Sequence, residues 1–316
     1  MLAFWACLTD CMAREAAPSA SGSENGAKMH GANSHASGDL TLREFNELSK
    51  NARFDEISSR AELMLRKTPT DPLAYYYRAF TRSKVRMQLE QALADIQKAI
   101  SLDPSQAIFY AMKAEIIHNQ QEDELALPLV DKAIKMDPKN LEFVDLKARI
   151  LILLRNYADA LKLSDIAVQS SPGTPQFHVT RAQILKRLSH FDEALVELNT
   201  AVSQLPGVFL YRLERMNVCA RLHKWIEVIQ DSDYILQHDN SQRLVYELRG
   251  RAHMQLKHYP QAIADFKSGI SRTRNETQVR ALHAELKEAY EASGDHDGAA
   301  REGAYLKKLD EDIQPL

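Results

Sequence analysis

The sequence has 316 residues, a hydrophobic fraction of 45%, a charged fraction of 26% and a formal net charge of −3 at pH 7. These fractions are ordinary for a folded protein, and the nearly balanced charge argues against nucleic acid as the main partner, because phosphate binding requires an electropositive face. Eleven Gly and eleven Pro favour long helices over a turn-rich β architecture, and three Cys are too few for a disulfide framework.

The N-terminal segment differs in composition from the rest of the chain. Residues 1–37 are predicted to be a disordered leader, because residues 17–39 lack the apolar side chains that would offset the entropy of ordering. The apolar run MLAFWACL leaves open a remnant signal or anchor segment, although no Lys or Arg precedes Arg14. We therefore expect a cytoplasmic protein; the alternative is export, or anchoring in the cell envelope, through residues 1–20. No transmembrane span of about 20 apolar residues is predicted.

After the leader, the chain repeats itself with a period of 34 residues. Five prolines fall 35, 34, 34 and 34 residues apart: Pro69, Pro104, Pro138, Pro172 and Pro206. Three columns of small residues keep this phase through six units, with larger residues in the sixth. They are Ala79, Ala114, Ala148, Ala182, Met216 and Gly250; Ala92, Ala126, Ala160, Ala194, Val228 and Ala262; and Ala99, Ala133, Ala167, Ala201, Ile235 and Gly269. A fixed period of this length indicates a repeat architecture.

Each unit is predicted to contain two helices. The first covers about fourteen residues with apolar side chains at helical spacing. An aromatic residue precedes the second helix in five units, at Phe54, Tyr157, Phe191, Trp225 and Tyr259. Antiparallel helices approach closely only where one offers a side chain the size of Ala or Gly, so the small columns mark the contacts between helices. Stacked pairs then share one core, since a single pair cannot bury its own apolar face.

These residues resemble the tetratricopeptide repeat family, which has a 34-residue helix–turn–helix unit, three small columns, an aromatic before the second helix and a closing Pro. The resemblance covers residues 38–313 and implies an all-α solenoid of about eight units, coiled as a right-handed superhelix whose first helices line a concave groove. The predicted units are 38–71, 72–106, 107–140, 141–174, 175–208, 209–242, 243–279 and 280–313.

Family geometry predicts which side chains line the groove. They form an aromatic end and a moderately basic middle: Tyr76, Phe80, Arg149, Lys186, Arg187, Arg221 and Arg251. An extended peptide would fit this groove if it placed an apolar anchor at the aromatic end and acidic residues at the basic middle. The alternative is that these are ordinary solvated or stacking residues.

A separate basic column precedes the first-helix small column. It has two interpretations: a ladder for an acidic ligand, or partners for second-helix carboxylates such as Asp95, Asp131, Asp165 and Asp233. Its members are Arg78, Lys113, Lys147, Arg181, Arg215 and Arg249. Because family geometry places this column between helices, the second interpretation is favoured.

The sequence lacks the short motifs that commonly mark phosphate-binding, redox or metal sites. It contains no Gly-rich phosphate loop, no CxxC and no HExxH, and no two of the eleven His lie four apart on one predicted helix. We therefore predict no catalytic residue, no cofactor and no metal. The leading hypothesis is a non-catalytic scaffold that binds a protein or peptide segment in the groove. The alternatives are an envelope-anchored assembly factor that recruits envelope proteins, and an enzyme with a cavity between repeats.

Overall fold

The computed structural model describes residues 39–313, so the predicted leader and its possible signal or anchor segment lie outside the described residues. Across this described part the structure has 16 α-helices, one 3-10 helix (Arg86–Gln88) and no β-strand. The predicted all-α fold of packed helix pairs is confirmed. The helices are α1 Leu42–Lys50, α2 Phe54–Lys67, α3 Pro72–Ser83, α4 Leu89–Leu102, α5 Ala107–Asn119, α6 Asp123–Met136, α7 Leu141–Leu153, α8 Tyr157–Ser170, α9 Pro175–Arg187, α10 Phe191–Gln204, α11 Phe209–Arg221, α12 Trp225–His238, α13 Arg243–Gln255, α14 Tyr259–Ile270, α15 Glu276–Ser293 and α16 His296–Ile313.

Two compact units divide the chain, Met1–Ile184 and Leu185–Leu316. In the first unit, each helix from α1 to α8 packs against the next, and the first helices α3, α5 and α7 also contact one another in succession. In the second unit, each helix from α10 to α16 packs against the next, and α11 contacts α13. Contacts between neighbours in sequence, and between successive first helices, are those expected of stacked helix hairpins. No helix among residues 39–313 combines the length and apolar character needed to span a bilayer.

The last helix pair begins earlier than the periodicity predicts. Helix α15 starts at Glu276, ahead of the predicted unit boundary at 280. The reason is local: the side chain of Asn275 accepts a hydrogen bond from the backbone N–H of Gln278 at 3.1 Å and caps the helix.

The small columns lie where helices meet. Ala160 on α8 and Ala194 on α10 are both 0% exposed, as their assignment to the packing columns predicts. A protein interior is packed to near-crystalline density, so a larger side chain at such a contact must displace its neighbours.

Replacing Ala160 with Leu is expected to lower the free energy of unfolding by roughly 1–3 kcal/mol, the usual cost of overpacking. Ala158 lies on the same helix and is exposed, so Ala158→Leu is the matched control and should leave stability within about 0.5 kcal/mol. Urea denaturation followed by circular dichroism measures both. Equal losses in the two variants would contradict the packing role of the column.

The turn inside six of the eight helix pairs uses a left-handed residue other than glycine. It recurs at the same position of five successive pairs and once in the first pair, whereas the last pair uses Gly294 with φ 81°. The φ values are 69° at Gln121, 60° at Arg155, 65° at Ser189, 57° at His223, 61° at Lys257 and 54° at Ala52. The following N–H reaches back across the turn, as from Asn156 to the carbonyl of Leu151 at 2.9 Å. This is the Schellman arrangement that ends helices.

Five of the six side chains in the basic column form ion pairs with carboxylates of second helices. Arg215 and Arg249 each reach two second helices: Arg215 contacts Asn199 and Asp231, and Arg249 contacts Asp233 and Asp265. The other pairs are Arg78–Asp95 at 2.7 Å, Lys147–Asp131 at 2.6 Å and Arg181–Asp165 at 2.7 Å, while Lys113 donates to Gln97 at 2.5 Å. The geometry favours the second interpretation of this column, in which its charges link helices.

Cys219 is enclosed in α11, where its residue surface is 1% exposed. Burial raises the pKa of its thiol to about 11, so the thiolate is scarce at neutral pH. We expect iodoacetamide at pH 8 to leave Cys219 unmodified in the folded chain and to alkylate it in urea. Peptide mass spectrometry measures this, and rapid modification of the folded chain at Cys219 would contradict the burial.

Candidate binding pocket

The predicted aromatic end of the groove is largely part of the core. Tyr76 is 4% exposed, and its ring centroid lies 5.5 Å from that of Phe45 and 5.7 Å from that of Phe109. Phe80 is half-buried, with its ring 4.9 Å from Phe45. The prediction that Tyr76 offers its side chain to a ligand is therefore wrong: helix α1 covers this end of the first unit and its Phe45 packs into the aromatic cluster.

The predicted basic middle is neutralised by nearby carboxylates. Arg149 Nε donates to Asp145 at 3.2 Å, and Lys186 Nζ lies 2.5 Å from Glu214. Arg251 contacts two glutamates and is treated with the pocket below. Because these cations already have partners, the expected basic character of these positions is largely lost.

Two of the predicted groove residues, Arg187 and Arg221, are exposed. Neither lines the pocket that is described next. Arg187 lies at the end of α9, and Arg221 lies at the end of α11. The guanidinium carbon of Arg221 is 5.4 Å from the centroid of the Phe191 ring, a cation–π contact.

A pocket of about 350 Å³ lies in the second unit. Three first helices contribute to it: α11, α13 and α15, together with the second helices α12 and α14. The lining residues are Ala220, Trp225, Leu248, Arg251, Met254, Gln255, Phe266, Glu285 and Glu288. Of the seven predicted groove residues, Arg251 is the one placed in this pocket.

The apolar part of the pocket depends on a close approach at Gly250. Phe266 is 1% exposed, and a Cβ at Gly250 would lie 2.7 Å from its ring. The glycine in the small column therefore lets α14 set the Phe266 ring against α13. Trp225, from the start of α12, is half-buried and adds a second large ring.

Replacing Gly250 with Ala is expected to destabilise the chain by about 1 kcal/mol. Alanine favours a helix interior by about 1 kcal/mol over glycine, but displacing a buried ring costs roughly 1–3 kcal/mol. Gly303 on α16 is the control, because its added Cβ would meet the nearest atom, on Lys287, at an ordinary 3.5 Å. Gly303→Ala should therefore raise stability. Thermal denaturation measures both, and stabilisation by Gly250→Ala would contradict the proposed packing.

Charge at the pocket centres on Arg251 and Glu285. Arg251 Nε donates to Glu285 Oε1 at 2.9 Å, and the same guanidinium lies 2.7 Å from Glu247. Burial raises the pKa of the Glu285 carboxyl, while Arg251 acts in the opposite direction. The second oxygen, Glu285 Oε2, is buried and has no hydrogen-bond partner. Glu285 therefore lines the pocket with one carboxylate oxygen paired to Arg251 and the other enclosed by protein.

Sequence reasoning missed most of this pocket. The sequence identifies Trp225 only as the aromatic residue before a second helix, and it does not single out Phe266 or Glu285. One signal was present: the small columns drift in the sixth unit, at Met216, Val228 and Ile235, and this unit supplies Ala220 and Trp225.

Comparisons with known proteins agree with this architecture. Residues 88–140 match the tetratricopeptide repeat family. A search of curated protein sequences gives no match. Stacked helix hairpins define the chain as a helical repeat protein. The family model matches residues 88–140, and the packed helix pairs of the described residues are similar to those of tetratricopeptide repeat proteins.

Solved structures share the fold at low sequence identity. The APC/C hetero-tetramer Cut9–Hcn1 aligns with a TM-score of 0.69 and 12% identity over 78% of this chain and 48% of that chain. Human IFIT1 with m7Gppp-AAAA gives 0.64 and 14%, over 84% and 70%. A tetratricopeptide repeat protein from Parabacteroides merdae gives 0.52 and 20%, over 78% and 96%. The chain thus spans about half the length of the Cut9–Hcn1 chain it matches.

Proposed function

We propose that this chain is a non-catalytic scaffold that binds a peptide or protein segment through side chains of its first helices. The tetratricopeptide repeat fold in general supports a protein-interaction scaffold. The observation that carries the finer proposal is the pocket of the second unit, which draws lining residues from three first helices. Concave, mostly apolar sites with a few polar groups are the usual form of a binding site.

A protein partner fits the electrostatics better than a nucleic acid does. The human IFIT1 structure named above is a complex with m7Gppp-AAAA, a phosphate-containing ligand. In this chain the net charge is −3, and cations that could meet phosphates, such as Arg149 and Lys186, are paired with carboxylates. Phosphate binding depends on unpaired Lys and Arg that release counterions.

Affinity capture tests the proposal with charge reversals on exposed first-helix residues. Arg187→Glu combined with Arg221→Glu is expected to change the set of proteins that the unaltered chain retains from a source-cell lysate. Lys162→Glu combined with Lys307→Glu is the control, since these side chains are 75% and 80% exposed on second helices. If both double variants retain the same proteins, binding through first helices is contradicted.

We also propose a cytoplasmic location, with export or anchoring in the cell envelope as the alternative. Mass spectrometry of the mature N-terminus tests it. An intact Met1 is expected, whereas a chain that begins within or just after residues 1–20 would favour the envelope alternative.

A further inference from the structure

We propose that the pocket of the second unit binds a bulky apolar side chain of a partner segment that carries a lysine or arginine beside it. This rests on the proposed function and narrows it to one pocket and one ligand chemistry. The ligand charge proposed here is positive, whereas the sequence alone predicted a ligand with acidic residues.

The apolar half of the inference follows from the cavity and its walls. Trp225, Leu248 and Met254 are half-buried around it, and Phe266 is 1% exposed. A volume of about 350 Å³ is at the lower end of the range of about 300–1,000 Å³ for small-ligand sites. It suits one large side chain, whose burial contributes roughly 25 cal/mol for each Å² of apolar surface.

The basic half follows from the carboxylates around the cavity. Glu285 Oε1 accepts from Arg251, and Glu285 Oε2 is enclosed by protein. Because Oε2 is enclosed, Glu285 acts on a ligand in the cavity mainly through its negative charge. Glu288 adds an exposed carboxylate to the same lining. One guanidinium and two carboxylates line the pocket, and the complement to this balance is a cation.

An acidic ligand would find few available cations in this pocket. The guanidinium of Arg251 is already paired with Glu247 and Glu285, so an anion that approached it would also be repelled by these two carboxylates. The neighbouring Arg221 is directed to the Phe191 ring, which does not line the pocket. Acidic peptides and phosphates are therefore disfavoured at this site.

A display library of random twelve-residue peptides, selected against the full chain, tests the inference. Enriched peptides are expected to carry Trp, Phe, Leu or Met with Lys or Arg within two positions, and to be depleted of Asp and Glu. The enriched peptides are then synthesised, and their affinities for variants are measured by fluorescence anisotropy. Ala220→Leu fills the cavity, Glu285→Gln removes the carboxylate, and Glu193→Gln, 60% exposed on α10, is the matched control.

Glu285→Gln is expected to weaken binding by about tenfold, the lower end of what a contact with a charged group contributes. Ala220→Leu occupies space that the apolar side chain of the ligand needs, and it is also expected to weaken binding by about tenfold. Glu193→Gln should leave the affinity unchanged. Circular dichroism confirms that each variant is folded, and Glu285→Gln keeps the test valid if Ala220→Leu does not fold.

Other outcomes separate this inference from the broader proposal. Enriched peptides with acidic flanks, or peptides whose affinity neither variant changes, would overturn the inference while leaving a peptide-binding scaffold intact. A selection without enrichment would also overturn it, and the affinity capture with Arg187→Glu and Arg221→Glu then decides the proposed function separately.

Discussion

Replacing Asp231 with Ala is expected to lower the free energy of unfolding by about 3 kcal/mol. The carboxylate is 1% exposed and lies between two arginines, 2.8 Å from Arg212 and 2.6 Å from Arg215. Its hydrogen bond raises the pKa of the Arg215 guanidinium. Removing one partner of a buried ion pair costs about 3–5 kcal/mol, because the other charge stays desolvated. The lower end applies here, since the Arg212 and Arg215 side chains are 13% and 21% exposed.

The same helix supplies a control for Asp231. Asp233 is 59% exposed and pairs with Arg249, which keeps Asp265 as a second partner. Asp233→Ala should therefore cost less than about 1 kcal/mol, as exposed pairs do. Urea denaturation of both variants measures the difference, and equal costs would show that the burial of Asp231 does not matter for stability.

Changing the left-handed turn residues to glycine is expected to have a large effect in the opposite direction. Gln121, Arg155, Ser189 and Lys257 are exposed and have φ between 60° and 69°. A residue with a Cβ pays roughly 1–2 kcal/mol in this conformation, whereas glycine loses roughly 0.5–1 kcal/mol of extra chain entropy on folding. The net gain is about 0.5–1 kcal/mol at each site, and about 2–4 kcal/mol for the four changes together if distant sites add.

Thermal and urea denaturation measure the gain of the fourfold variant. Ala281→Gly is the control, because this exposed residue lies in the interior of helix α15, where glycine should cost about 1 kcal/mol. A fourfold variant that is no more stable than the unaltered chain would show that the turn conformation carries no strain.

Local patterns in the sequence were enough to predict the helix pairs. The small columns and the prolines report contacts at fixed spacing, so they predicted the all-α fold and the burial of residues such as Ala160. Non-local features were less accessible. Tyr76 is covered by Phe45, which lies on another helix. Lys186 is neutralised by Glu214, which lies 28 residues away in the sequence.

The pocket shows the same limit more clearly. Its lining comes from five helices, and its shape depends on how the Phe266 ring meets Gly250. A periodic pattern identifies Gly250 as small and Trp225 as aromatic. The pattern does not predict that a pocket remains open near these two residues, or that Glu285 Oε2 has no hydrogen-bond donor.

The two-sided contacts of Arg249 have a consequence for how the second unit loses its structure. One guanidinium joins Asp233 of one hairpin to Asp265 of the next, and Arg215 joins Asn199 to Asp231 in the same way. Opening any one hairpin therefore removes partners from the adjacent hairpin as well. In a linear array governed by nearest-neighbour terms, such shared cations penalise a boundary between ordered and melted segments at the hairpins they join. The hairpins that contain α10, α12 and α14 are therefore expected to open together.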